Sequence, residues 1–193
     1  MASDFYAFLS RMKNIYRWGL MRNTTQESLS EHSFEVALIA HALAVIGNKR
    51  LGKNYDANLC ATAALFHDTS EILTGDLPTP VKYYNPEIKE AYKKVEAIAE
   101  EKLISMLPED FKGEIAPFYN TDSDTRAIIK AADKISALIK CIEETSMGNK
   151  EFAAAKEGLL EKVKNCGLEE ANIFVNEFLD SYSLPLDKQN QLP

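Results

Sequence analysis

Between Ala63 and Glu71 an apolar run, Ala63-Ala64-Leu65-Phe66, gives way abruptly to His67-Asp68-Thr69-Ser70-Glu71. Three ionisable groups in surroundings that read as core are costly to bury, and a buried carboxylate keeps its charge only beside a metal or an opposite charge. An imidazole next to a carboxylate is a donor pair for a divalent transition metal. Neighbouring positions on a helix point about 100° apart, so His67 and Asp68 can meet one ion only from its flank, and other helices must supply the remaining ligands. The chain has three histidines. His32, in Ser30-Glu31-His32-Ser33, stands in the first turn of a helix after a loop and can face the same cavity. His41 lies nine residues further along that helix, half a turn out of phase, and is expected as a core histidine outside the site. Asp133 offers a fourth ligand, four residues after Ile129 and three before Ser136, on the inward side of an otherwise apolar helix. Two imidazoles and two carboxylates suit Mn, Fe, Co, Ni or Zn better than Mg, which prefers oxygen.

The elements that must hold these groups are helices. Eight glycines and seven prolines fall between long segments that repeat apolar residues every three to four positions, and no alternating pattern competes. The expected fold class is all-α, a single-domain helical bundle over 1–185 with a frayed tail at 186–193. Ser3 is expected to cap a first helix through about Lys13, and Ser28-Leu29-Ser30-Glu31 has capping-box spacing ahead of a run that ends near Gly47. Asp56 should cap a helix running unbroken from about Ala57 to Leu73. Gly75-Asp76-Leu77-Pro78-Thr79-Pro80 follows as a stiff loop. Asn85-Pro86 opens a charged helix to about Leu107, and Pro108 starts a short one. Asp122 or Ser123 caps a helix from about Asp124 to Met147, and two more fill about 150–164 and 168–182.

A net charge of −7 argues against nucleic acid polymers, which call for a basic stripe. A small anionic substrate fits if a metal or an arginine supplies local positive charge. No membrane span or secretory signal is read from the sequence, so a cytoplasmic location is expected. Cys60, Cys141 and Cys166, odd in number and scattered, read as reduced structural thiols.

A histidine, a His-Asp pair about thirty-five residues later and a distant aspartate on a helix resemble the HD-domain phosphohydrolases. More narrowly, Arg17-Trp18, Leu20-Met21-Arg22-Asn23, Ser30-Glu31-His32-Ser33, His67-Asp68-Thr69-Ser70-Glu71 and Leu73 through Tyr83 look like the YfbR family of bacterial 5'-deoxynucleotidases. Thr69 stands where that family typically has alanine. The resemblance implies hydrolysis of deoxyribonucleoside 5'-monophosphates by a homodimer that uses one divalent metal, such as cobalt or manganese. It carries His32, His67, Asp68 and Asp133 over as ligands, with His32, Asp68 and Asp133 also near the substrate. Glu71, Asp76 and Arg17 become catalytic groups, and Arg17, Trp18, Asp76, Leu77, Pro78 and Thr79 substrate contacts. In such a site Arg17 would neutralise phosphate oxygens and Glu71 would orient or deprotonate a water. Asp76 would protonate the leaving 5'-oxygen or hold the 3'-hydroxyl, and Trp18 would exclude a 2'-hydroxyl. Two rivals stand beside this reading: a phosphohydrolase with another substrate, such as a nucleoside triphosphate or a non-nucleotide monoester, and a module that binds nucleotides without turnover. Binuclear HD phosphodiesterases need further histidines, and none follows His67.

Overall fold

The computed structural model describes residues 2–82 and 84–189, Thr79 by its backbone alone. Eleven α-helices follow one another among these residues: α1 (Phe5–Leu9), α2 (Leu29–Arg50), α3 (Ala57–Phe66), α4 (Glu71–Thr74), α5 (Thr79–Lys82), α6 (Pro86–Ser105), α7 (Glu109–Ile115), α8 (Ser123–Ser146), α9 (Ala153–Lys164), α10 (Glu169–Phe178) and α11 (Leu186–Gln189). Short 3-10 turns join several of them. An isolated antiparallel bridge between Tyr16 and Ser28 is the extended pairing among the described residues.

The core is a sandwich of α2 against α3, α8 and α10. Val36, Ala40, Leu43 and Ala44 of α2 meet Ala63 and Ala64 of α3 and Ile128, Ala132, Ile135 and Leu138 of α8, all almost wholly buried. Each large aliphatic side chain so enclosed contributes about 1.5–3 kcal/mol. By length and mean hydropathy (1.3) α2 is apolar enough to cross a membrane, but over half of that stretch is buried against its neighbours. Its start is pinned by a complete capping box: Ser28 Oγ accepts from Glu31 N, and Glu31 Oε2 accepts from Ser28 N at 2.7 Å. Asp56, Asn85 and Asp122 cap α3, α6 and α8 through their side chains.

The structure departs from the sequence reading in five places. The first helix is α1 followed by a 3-10 turn, and its N-cap position is Asp4, without a side-chain cap bond; Ser3 Oγ instead donates to Met106 O. The helix expected to run from 57 to 73 breaks after Phe66. There the carbonyls are taken by side chains: His67 Nδ1 bonds Ala64 O at 2.6 Å and Thr69 Oγ1 donates to Phe66 O at 2.9 Å. The loop after Gly75 is shorter than expected, because residues 79–82 form the turn α5, where Pro80 sits in the first turn and its missing donor costs nothing. His41 is exposed on α2 rather than in the core. In the expected tail, residues 186–189 form α11, and residues 190–193 lie outside the described residues. Cys60 and Cys141 are buried and Cys166 partly so, all as free thiols.

Candidate metal and substrate site

The break between α3 and α4 turns His67 and Asp68 toward the same point. His67 Nε2 lies 3.1 Å from Asp68 Oδ2. From α2, His32 Nε2 comes within 3.6 Å of the same oxygen and within 3.2 Å of Asp133 Oδ1 on α8. One ligand atom from each of His32, His67 and Asp68 lies within 4.8 Å of the others. Despite these short separations, both Nε2 atoms are buried without a hydrogen bond, so the donors aim at a shared centre rather than at one another.

The far side of each ring settles its tautomer. His67 Nδ1 faces the carbonyl of Ala64, which can only accept, so in the neutral ring Nδ1 carries the proton and Nε2 offers the lone pair. His32 Nδ1 lies 3.0 Å from Ser136 Oγ, which itself donates to Glu35 Oε2 at 2.6 Å, leaving Nδ1–H as the donor to the hydroxyl. Two lone pairs on buried imidazoles beside two carboxylates fit a divalent transition metal, with the outer hydrogen bonds that usually orient such ligands already in place.

Glu71 opens α4 almost wholly buried, and its Oε2 is a further buried atom without a hydrogen bond. Gly75, at φ 74°, ends α4 by donating to Glu71 O at 2.8 Å and sends the chain into the Asp76 loop. Leu77 and Pro78 are partly buried in that loop; the side chain of Thr79 lies outside the described residues. Arg17 reaches in from the segment before α2, with Nη1 3.5 Å from Asp68 Oδ2 and Nε 3.3 Å from Glu27 Oε2. Trp18, beside it, donates from Nε1 to Glu27 Oε2 at 2.7 Å, its ring centred 5.3 Å from that of Phe152.

A cavity of about 410 Å³ opens on the cluster, lined among others by His67, Asp68, Tyr119, Arg126, Lys130 and Asp133. A larger one, about 970 Å³, is lined by Phe34, Leu38, Met147 and Tyr182 with Glu27, Glu31 and Glu35, and no histidine borders it. Of the two, the smaller cavity is the candidate site, because His67, Asp68 and Asp133 line it; His32, Arg17, Trp18, Glu71 and Asp76 stand outside its lining. Arg126 and Lys130 escaped the sequence reading, although with Asp133 they follow i, i+4, i+7 spacing and share a helix face. Glu27 and Glu35 gave no comparable signal.

Residues 4–182 match the family model described as 5'-deoxynucleotidase YfbR-like. The chain belongs to that family. Its relatives include a 5'-deoxynucleotidase of Vibrio vulnificus, 51% identical over 96% of this chain and 97% of that one, and a 5'-deoxynucleotidase of Erwinia tasmaniensis, 48% identical over 98% and 97%. Among solved structures, an HD-domain phosphohydrolase from Listeria innocua superposes with a TM-score of 0.79 at 25% identity, covering 93% of this chain and 88% of that one. An HD phosphohydrolase of cyanophage S-2L, bound to dA and one catalytic Zn2+ ion, shares the fold at a TM-score of 0.67 and 20% identity, over 90% and 95% of the two chains.

The charges of this YfbR-like site are strongly coupled. Burial works against the charge on His67, but Asp68 and Asp133 outweigh it and raise the imidazole to about 9, so without a cation Nε2 also holds a proton at neutral pH, and a metal would displace that proton on binding. Burial likewise opposes ionisation of Asp68 and Asp133, yet His67 holds Asp68, and His32 holds Asp133, below the usual carboxylate range. Glu71 goes the other way: burial, then the carboxylates of Asp68 and Asp76, push it up to about 9. Asp76 is raised by burial, with Arg17 opposing. Burial disfavours the Arg17 charge, but Asp133, Glu27, Asp68 and Asp76 more than offset this and keep the guanidinium firmly protonated.

Proposed function

We propose that this chain hydrolyses deoxyribonucleoside 5'-monophosphates to deoxynucleoside and phosphate, with one divalent metal held by His32, His67, Asp68 and Asp133. The observation that supports this most is the pair of buried Nε2 lone pairs facing two carboxylates in a chain of the YfbR-like family. Cobalt or manganese fits the mixed donor set. A bound divalent ion supplies Lewis acidity and lowers the pKa of a coordinated water.

Arg17, permanently charged and already bonded through Nε and Nη1, presents its remaining edge to the phosphate oxygens and offsets their repulsion of a nucleophile. Glu71, whose carboxyl is held protonated up to about 9 by burial and by the carboxylates of Asp68 and Asp76, orients the attacking water, and it would accept that water's proton as the new P–O bond forms once the charge of a bound cation has ionised it. The bond from phosphorus to the 5'-oxygen breaks, and that oxygen must gain a proton. Asp76, raised by burial, either delivers that proton or accepts a hydrogen bond from the 3'-hydroxyl. Trp18 lies against the sugar and leaves no room for a 2'-hydroxyl, while Leu77, Pro78 and Thr79 close the other side, and His32, Asp68 and Asp133 border the phosphate. A cytoplasmic homodimer completes this reading; light scattering on the purified protein should give twice the chain mass, and a single-chain mass would remove the dimer.

Phosphate release from a panel of deoxyribo- and ribonucleoside 5'-monophosphates, 3'-monophosphates and triphosphates tests the reaction. Deoxyribonucleoside 5'-monophosphates should be the best substrates by kcat/KM. Faster turnover of triphosphates, or equal turnover of ribonucleotides, would contradict it.

A further inference from the structure

Glu27 is tied to both residues on the substrate side of the site. One oxygen, Oε2, accepts from Trp18 Nε1 at 2.7 Å and from Arg17 Nε at 3.3 Å. Its main-chain carbonyl accepts from Arg17 N at 2.9 Å, and two residues on Leu29 N donates to Ile15 O at 2.8 Å, so the Tyr16–Ser28 bridge clamps the two segments side by side. The carboxylate is only 11% exposed. Its second oxygen, Oε1, stands 3.8 Å from His32 Nδ1.

Trp18 needs such a hold. Its φ of 61° puts a bulky L-residue in the left-handed region, a conformation that persists only when neighbouring contacts impose it. Met21 N and Asn23 Nδ2 bond its carbonyl at 2.8 and 3.3 Å and fix the backbone. Phe152 packs beside the ring at an interplanar angle of 58°, a contact that adds packing area to the hold of the hydrogen bond. An indole N–H pointed at a carboxylate has one acceptable orientation, and a charge-assisted bond is roughly twice as strong as a neutral one.

We propose that Glu27 is the positioning residue that sets sugar selectivity, by locking the rotation of the Trp18 indole while fixing Arg17 with the same oxygen. This rests on the reading of Trp18 as the group that excludes a 2'-hydroxyl. Glu27 itself touches no substrate. Coupling both side chains to one acceptor makes the distance between the phosphate contact and the sugar contact a fixed property of the protein.

The test compares Glu27→Ala, Glu27→Gln and Trp18→Ala, all metal-loaded, by the ratio of kcat/KM for a deoxyribonucleoside 5'-monophosphate and its ribonucleotide. Because Trp18 is the only tryptophan, its fluorescence reports the indole independently of activity. Glu27→Ala should lower the deoxy-to-ribo ratio about tenfold, the scale of one lost charge-assisted hydrogen bond, and should increase acrylamide quenching of the indole. Glu27→Gln, which keeps the volume and an acceptor but loses the charge that strengthens both bonds, should lower the ratio only about threefold, and it carries the test if Glu27→Ala does not fold. In that case a ratio about threefold below the parent's, with increased quenching, supports the proposal, and an unchanged ratio overturns it. If Trp18→Ala lowers the ratio but Glu27→Ala leaves it unchanged, the proposal is overturned while the Trp18 reading stands. A ratio indifferent to Trp18→Ala removes the Trp18 reading and the proposal with it.

Discussion

Removing His67 and removing Glu71 should have different consequences, because one offers a lone pair to the shared centre and the other a carboxyl beside it. His67→Ala or Asp133→Ala should lose bound metal, measured by elemental analysis, together with turnover. Glu71→Gln should keep one metal per chain and lose kcat by ~10²-fold or more, the scale of a positioned acid or base. Loss of metal from Glu71→Gln would move that carboxylate into the ligand set. The charged residues near the core were legible in the sequence because ionisable side chains among Ala63, Ala64, Ile129 and Ala132 have no cheap burial without a ligand. Glu27 was not legible: it sits in the polar stretch Thr24-Thr25-Gln26-Glu27, where a carboxylate costs nothing to place, and only the pairing of that stretch with residues 15–17 reveals its role.

At the scale of elements, the break between α3 and α4 is the feature on which the site depends. The apolar spacing continues through Phe66, Ile72 and Leu73, so periodicity alone reads one helix. What ends it is local competition for carbonyls by His67 and Thr69, a side-chain effect that spacing does not report. Thr69 is fully buried and also bonds the Tyr119 hydroxyl at 3.1 Å. Thr69→Ala should lower unfolding free energy in urea by about 1 kcal/mol and leave the metal bound, since the hydroxyl bonds carbonyl and phenol but no ligand. Ser28→Ala, which dismantles the capping box at the head of α2, should cost a similar ~1 kcal/mol.

The link between α2 and α8 carries a pH signature. Burial pushes the Glu35 carboxyl up to about 7, with the Ser136 hydrogen bond opposing. The folded chain thus holds this proton more tightly than the unfolded one, whose glutamate titrates at its ordinary 4.5. That contribution to stability is whole below about 4.5 and is lost as pH rises through about 7. Glu35→Gln should flatten the decline, so urea midpoints of the variant measured from pH 5 to 8 should fall less than those of the parent; parallel declines would show that Glu35 does not cause it.

The whole molecule is acidic and its candidate cavity keeps that balance, with Arg126 and Lys130 standing among Asp68, Asp133, Glu96 and Glu100, so the local positive charge that a small anionic substrate requires has to come from a bound metal together with Arg17. The helical class and the approximate bounds of α2 and α8 were legible from periodicity and capping residues, though not their place at the centre of the core. The cavity was not, because its walls come from helices far apart in sequence, α3 and α8 among them. Holding a metal between three elements should also stabilise the whole fold, since the ion binds the native arrangement and not the separated chain.

The most direct test is a metal titration followed by phosphate release. Chelated protein should be inactive toward a deoxyribonucleoside 5'-monophosphate and regain activity as manganese or cobalt is added, with a plateau at one metal per chain. Full turnover after chelation with no detectable metal, or a plateau at two metals per chain, would contradict a single site built by His32, His67, Asp68 and Asp133.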